Sequence, residues 1–218
     1  ANLRYPSSVA EAVKGADVVI NSVGVLASTG KQTFDTIHDE GARTVAKAAK
    51  AAGARTFVHI SAIGADAQSN SKYARSKAEG ERAVLEEFPG AVILRPSIVF
   101  GPEDEFFNRF AAMARMSPFL PLIGGGKTKF QPVYVGDVAA AVKAVVDGKA
   151  KPGTIYELGG PEVLSFRELL DRTLEYAGRN RFYLGLPFWA AKLQAIATSP
   201  LPNALRPVTL DQIRLLQR

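Results

Sequence analysis

Three short apolar runs separated by long helical stretches restrict this chain more than any other feature of its sequence. They are Asp17-Val18-Val19-Ile20-Asn21, Thr56-Phe57-Val58-His59-Ile60 and Ala91-Val92-Ile93-Leu94-Arg95. A run that is apolar at consecutive positions suits a strand buried on both faces. Between the first two, a stripe at Phe34, Ile37, Val45, Ala48, Ala49 and Ala52 predicts one helix from Thr33 to the stop at Gly53. Between the second and third, Tyr73 to Phe88 reads as a helix ending near Pro89-Gly90. A shorter helix capped by Ser7 or Ser8 runs to Lys14 and stops at Gly15. Strands joined by such helices pair in parallel, with right-handed crossovers and a crevice at their carboxyl ends. Three loops are therefore expected there: Ser22 to Gly30, Ser61 to Ser71, and Pro96 to Phe107.

After Pro102 the pattern changes. Phe106 to Met116 reads as a helix, Pro118 to Gly126 is rich in Pro and Gly, and Phe130 to Val135 reads as a strand leading into a helix from Asp137 to Asp147. A strand over Thr154 to Leu158 precedes the turn Gly159-Gly160-Pro161 and a helix from its N-cap Ser165 to Ala177. From Leu186 an apolar helix begins, interrupted by Pro200 and Pro202. The expected fold class is α/β: a Rossmann-like doubly wound parallel sheet in residues 1–101, and a small mixed substrate-type region in 102–218 interleaved with the last Rossmann elements.

One stretch carries chemistry. In Tyr73-Ala74-Arg75-Ser76-Lys77 the phenol and the ammonium lie four residues apart, on one face of the expected helix. An ammonium beside a phenol favours the phenolate, so Tyr73 could exchange a proton with a carbonyl or alcohol, and Lys77 could hydrogen-bond a ribose. Taken alone, that spacing equally describes an ordinary amphipathic helix; the crevice loops give it meaning.

The charge pattern excludes several classes. The net charge is +6, but the Lys and Arg residues never gather into a run of five or six, so nucleic-acid binding is not indicated. The charge suits an anionic ligand, an acidic partner or a membrane surface. No cysteine is present, which removes disulfides and thiolate chemistry. The two histidines, His38 and His59, are far apart in sequence, so no metal site is expected, and His59 inside its apolar run reads as a satisfied core histidine. No apolar run of eighteen residues occurs. Arg95 is expected to pair with a carboxylate. Lys127 and Lys129, after Gly124-Gly125-Gly126, are open to an anion-binding reading or to that of solvated loop lysines.

Several stretches in succession resemble the extended and atypical short-chain dehydrogenase/reductase superfamily, the NAD(P)-binding group that includes nucleotide-sugar epimerases. They are ADVVINSVG (Ala16 to Gly24), FVHISA (Phe57 to Ala62), YARSK (Tyr73 to Lys77), LRPSIVFGPED (Leu94 to Asp104), QPVYVGDVA (Gln131 to Ala139) and YELGGPE (Tyr156 to Glu162). More narrowly, FGPEDEFFNRFAAMAR and the LPLIGGGKTKFQPVYVGDVA region are similar to the NADPH-binding accessory subunit of respiratory complex I and its alphaproteobacterial relatives.

The resemblance implies a role for each matching residue. Asn2 and Leu3 match the end of a strand that meets the adenine, where the family usually has Asp. Ser22, Val23 and Gly24 match the loop beneath the adenosine, and Tyr73 and Lys77 the contacts to the nicotinamide ribose. Pro96, Ser97 and Ile98 match the turn at the carboxamide end, and Asp137 an acid that is more often structural than catalytic. The ligand so implied is NADPH, with NAD(H) also possible. The implied partners are complex I subunits, with membrane association through them and no transmembrane segment. The implied location is the matrix side of the mitochondrial inner membrane or the cytoplasmic face of a bacterial one.

Two departures from the pattern bear on activity. The family's Gly-rich phosphate loop and first strand have no counterpart before Asn2, so the sequence reads as the remainder of a longer protein. The family's catalytic Ser or Thr falls at Ala62, with Ser61 one residue early and only a short interval to Tyr73. Tyr73, Lys77 and Ser61 are thus the catalytic candidates, and Ser61 also counts among the expected cofactor contacts. Ser61 is expected to face the strand backbone rather than an oxyanion, so the reading leans to nucleotide binding without independent turnover. The alternative is an active NAD(P)-dependent reductase or epimerase using Tyr73 as acid/base.

Overall fold

The computed structural model describes residues 1–199 and 208–217. In chain order the elements are α1 (Pro6–Val13), β1 (Val18–Asn21), a π-helical turn (Asp35–Asp39) running into α2 (Glu40–Ala51), β2 (Thr56–Ile60), α3 (Lys72–Glu87), β3 (Val92–Pro96), β4 (Val99–Phe100), α4 (Phe107–Met116) and β5 (Phe119–Ile123). They continue with β6 (Lys129–Phe130), β7 (Val133–Tyr134), α5 (Val135–Val146), β8 (Ile155–Leu158), β9 (Leu164–Ser165), α6 (Phe166–Tyr176), β10 (Phe182–Leu186), α7 (Phe188–Ala197) and α8 (Leu210–Leu216). Two compact units result, residues 1–96 with 137–158, and residues 97–136 with 159–218.

The first unit is built on a parallel sheet in the order β1-β2-β3-β8. Consecutive residues of β2 enter different layers. Phe57 joins Val9, Val19, Val45, Ala49 and Val84 under α1, α2 and α3, whereas Val58 joins Val92, Leu94 and Val145 under α5. That explains why β2 is apolar at successive positions, and it confirms an α/β, Rossmann-like arrangement. β1 is buried on one face only: Val19 is enclosed and Ile20 is 47% exposed, because α5 packs over β2, β3 and β8.

Several boundaries differ from the sequence expectation. The helix expected from Thr33 begins with a π turn, in which the Glu40 N–H reaches the carbonyls of both Asp35 and Thr36. Ala1 to Tyr5 form a turn, not a strand end; the Asn2 side chain accepts from the Arg4 N–H at 3.1 Å. The stretch Phe130 to Val135 contains two short strands, and α5 starts directly after the second.

The second unit holds two elements that its sequence obscured. β5, in a segment marked only by its Pro and Gly content, pairs in parallel with β10, Phe182 standing opposite Phe119 and Leu186 opposite Ile123. Pro121 is tolerated because β5 has a partner strand on one edge only. One face of this pair packs Leu122 and Tyr183 with Phe166 and Leu170 of α6, and its far end packs Ile123 and Leu186 with Ala191 and Ile213 of α7 and α8. α6 opens on Ser165, whose hydroxyl accepts from the Glu168 N–H while Glu168 accepts in return. Pro200 and Pro202 lie outside the described residues.

Candidate functional site

The parallel register brings the ends of β1 and β2 side by side, with Asn21 opposite His59. The loops that leave them therefore emerge along one edge of the sheet. Ser22, Val23 and Gly24 are exposed on the first loop. Below that loop lies α3, started by Ser71, whose hydroxyl accepts from the Ala74 N–H at 3.3 Å. This cap puts Tyr73 and Lys77 in the first turns of α3, facing the ends of β1 and β2.

Lys77 is 6% exposed and donates from Nζ to the Ile60 carbonyl at 3.1 Å. Burial lowers its pKa to about 8, partly offset by the Glu81 carboxylate. A Cβ added to Gly24 would stand 3.6 Å from this Nζ and 3.5 Å from His38 Nε2, so the glycine backbone closes directly over both. The Tyr73 ring meets Phe34 and His38 edge-on, with centroids 5.9 and 5.5 Å away. Burial pushes the Tyr73 phenol up to about 12. Its proton is therefore held firmly near neutral pH, so the phenolate expected beside Lys77 is not favoured here.

Ser61 turns away from Tyr73's neighbours and into a buried ion pair. Its hydroxyl donates to Glu81, whose two carboxylate oxygens also accept from Arg95 Nε at 2.8 Å and Nη2 at 2.6 Å. Arg95 reaches Glu157 on β8 as well, at 3.4 Å, and its guanidinium is held above its usual range chiefly by Glu81. Ser61 thus faces a carboxylate rather than the strand backbone, while its own N–H continues the β2–β3 ladder to the Leu94 carbonyl at 2.7 Å. The pairing expected for Arg95 is present.

Other expected positions fall as follows. Asn2 lies in the exposed N-terminal turn, and Leu3 packs partly against the core beneath α1 and α2. Pro96 closes β3 in the first unit. Ser97 and Ile98 belong to the second, where the Ile98 carbonyl accepts from the Val133 N–H at 3.0 Å. Asp137 sits exposed in the first turn of α5, where its charge favours the helix dipole. Gly124, Gly125 and Gly126 all have positive φ; packing against the Phe188 ring and Arg167 also accounts for the first and last, while Gly125 is explained by its φ alone. Lys129 approaches Glu168 at 4.0 Å in solvent.

Sequence reasoning passed over His38. It is 2% exposed, accepts from the Val25 N–H through Nε2 at 3.0 Å and meets Ser76 Oγ through Nδ1 at 2.9 Å. Its pKa falls to about 4 through burial and the nearby Lys77 charge. The only available sign was a histidine set one residue after Ile37 in an apolar stripe. His59 is only half satisfied: Nδ1 pairs with Asn21 Nδ2 at 3.1 Å, while Nε2 is buried without a hydrogen-bond partner among the described residues. Its pKa falls to about 3, chiefly by burial, with Lys77 and His38 contributing. Among the described residues no group of three or more His, Asp or Glu could hold a metal.

Comparison with known families decides what this arrangement descends from. Residues 1–159 match the model of the NAD dependent epimerase/dehydratase family. The chain belongs to that family. Similar family members include the mitochondrial NADH dehydrogenase (ubiquinone) 1 alpha subcomplex subunit 9 of Arabidopsis thaliana, 38% identical over 98% of this chain and 55% of that protein. The Mus musculus subunit of the same name is 37% identical over 83% of this chain and 43% of its own length. A ceramide reductase of Caulobacter vibrioides is 36% identical over 66% of this chain and 44% of that protein. The chain thus spans about half the length of these curated relatives. Among solved structures, a Bacillus cereus UDP-glucuronic acid 4-epimerase in complex with UDP-glucuronic acid and NAD superposes with a TM-score of 0.71 at 22% identity, covering 86% of this chain and 67% of that one. At that identity the likeness establishes the fold that the family shares.

Proposed function

We propose that this chain forms the nucleotide-holding part of an accessory subunit of a respiratory NADH:quinone oxidoreductase, with NADPH as a structural or regulatory ligand. The relatives named as complex I subunits supply the partner class. In the nucleotide site, Gly24 gives close backbone approach and Ser22 and Val23 flank it. Tyr73 and Lys77 contact the nicotinamide ribose, and Lys77 has donors left beyond its bond to Ile60. Asn2, Leu3 and Pro96 complete the contacts from this unit. The observation that carries binding over turnover is the Ser61 hydroxyl. It is engaged by Glu81, position 62 is an alanine, and the Tyr73 phenol is held protonated with no serine beside it in the family's catalytic place.

Docking to such a complex would put the chain at the matrix side of the mitochondrial inner membrane or at the cytoplasmic face of a bacterial one; the relatives' names carry the word mitochondrial and no finer location. Association with the membrane then runs through partner subunits; among the described residues no helix is long and apolar enough to cross it. Denaturing the native full-length protein and identifying the released nucleotide by mass spectrometry tests the ligand, and co-purification with the respiratory complex tests the partner. Stoichiometric NADPH in a complex-associated chain is expected. NAD(H) in its place overturns the cofactor preference, and a chain without nucleotide that never accompanies the complex overturns the whole reading.

A second reading, an active NAD(P)-dependent reductase or epimerase, is favoured by the buried Lys77 ammonium in the turn after Tyr73 and by the reductase among the relatives. There Tyr73 is the acid/base, Lys77 its electrostatic helper and Ser61 a silent neighbour. Tyr73→Phe separates the two: complete loss of a measurable hydride transfer supports the enzyme, whereas weakened nucleotide retention alone supports the accessory subunit.

A further inference from the structure

His38 bridges the pieces that the nucleotide reading brings together. From the turn before α2 its side chain reaches the Gly24-Val25 loop through Nε2 and α3 through Nδ1. Its ring lies between Phe34, stacked at 5.6 Å, and Tyr73, edge-on at 5.5 Å. Its carbonyl packs so closely on α3 that a Cβ at Gly80 would fall 2.0 Å from the oxygen. Each contact removes one freedom: the Val25 bond fixes the loop height, the Tyr73 contact fixes the phenol's ring plane, and the Gly80 approach fixes the distance between the helices.

The hydrogen bonds also fix the state of the ring. A backbone N–H only donates, so Nε2 must be the unprotonated acceptor toward Val25. The imidazole proton is then on Nδ1 and donates to Ser76 Oγ, whose own hydroxyl donates to the Tyr73 carbonyl at 2.9 Å. One neutral tautomer satisfies all three bonds. Around the ring stand Lys77 and Tyr73 from α3 and His59 from β2, while Asp35 and Asp39 belong to the same turn as His38.

We propose that His38 is the positioning residue of the nucleotide clamp, its neutral imidazole holding the Gly24-Val25 loop at the height where Tyr73 and Lys77 close on the nicotinamide ribose. This rests on the reading of Tyr73 and Lys77 as ribose contacts. His38 itself touches no nucleotide; it acts through the Val25 amide.

Two substitutions of similar polarity divide its bonds. His38→Gln sets an acceptor near the place of Nε2 and keeps the loop bond. His38→Asn reaches only the place of Nδ1, keeping Ser76 and losing Val25. Calorimetric titration of the full-length protein with NADP+ and NAD+, alongside hydrogen exchange at the Val25 amide, reads both. The proposal expects His38→Asn to weaken binding by about ten-fold and to lose Val25 protection, with His38→Gln within about three-fold of the parent in both. Exchange at Val58 and Ile93, in the sheet, should change in neither.

Equal behaviour of the two variants, or undiminished Val25 protection in His38→Asn, overturns the proposal. Lys77→Met tells this failure from a failure of the underlying reading. If Lys77→Met binds nucleotide as the parent does, the ribose-clamp reading itself is wrong; if it loses binding while His38→Asn does not, only the role of His38 is.

Discussion

Ser61 donates a hydrogen bond from its hydroxyl to Glu81, and the Glu81 carboxylate is simultaneously gripped by Arg95 through Nε and Nη2. The hydroxyl at the end of β2 is therefore part of a structural ion pair. Ser61→Ala removes one hydrogen bond to a buried carboxylate that keeps its arginine, and should cost about 1–2 kcal/mol of stability. Nucleotide affinity should stay unchanged. Urea unfolding and a nucleotide titration check the two halves. A large loss of affinity with intact stability would mean that Ser61 faces the ligand.

Lys77 places a cost on the folded chain below pH 8. With its folded pKa at about 8 against an ordinary 10.5, the unfolded chain binds the extra proton between these values, so stability rises with pH across that window. At and below about pH 8 the whole penalty stands, roughly 3 kcal/mol as an upper bound, because Lys77 also gains its bond to Ile60. Lys77→Met should therefore raise the urea midpoint at pH 7, lose the advantage toward pH 10, and bind nucleotide poorly. An ammonium retained at such a cost is the expected mark of a functional residue. A Lys77→Met variant less stable than its parent at pH 7 refutes the argument.

Much of the first unit could be read directly from the sequence, because its signals are local. β2 and β3 are apolar on both faces since helices cover both, although the cap expected of Ser7 or Ser8 falls inside α1, which starts at Pro6 after Tyr5; in the second unit Ser165 caps α6 as expected. The pairing of β5 with β10 is not local. Pro121 and Gly185 interrupt any strand pattern in the two segments, and each becomes a strand only against the other, some sixty residues away. The site divides in the same way. Tyr73 and Lys77 announce themselves by four-residue spacing. The partners of His38 lie 13 and 38 residues off, and Ser61 finds Glu81 20 residues later. No window of sequence contains those pairs.

Acid should unfold this protein partly through its two histidines. His38 and His59 have folded pKa values of about 4 and about 3, below the ordinary 6.5, so on acidification the unfolded chain takes up protons that the folded chain refuses. Stability supplied by the neutral rings is complete above about pH 6.5 and drains away as pH falls toward those values, by roughly 3 kcal/mol or more for each. A double variant with His38→Gln and His59→Asn keeps an acceptor for Val25 and for Asn21 but does not titrate in this range. Relative to its own stability at pH 7, it should lose less between pH 6.5 and 4 than the parent, as measured by urea midpoints. Parallel losses in the two proteins would show that carboxylates alone govern acid unfolding.

Gly80 tests the helix approach on which the clamp depends. In an exposed helix interior, glycine to alanine stabilises by about 0.5–1 kcal/mol, because alanine forfeits less backbone entropy. Gly80 is buried in α3, and an added Cβ would lie 2.0 Å from the His38 carbonyl oxygen and 3.0 Å from its carbon. Backbone cannot rotate out of the way as a side chain can, so α3 and the π turn must separate. Gly80→Ala should therefore reverse the usual sign and destabilise by about 2 kcal/mol or more. The separation also lengthens the bonds from His38 to Ser76 and Val25, so nucleotide affinity should fall with stability. Thermal unfolding and NADP+ titration of Gly80→Ala measure both. A variant as stable as the parent would show that the two helices have room that the geometry denies them.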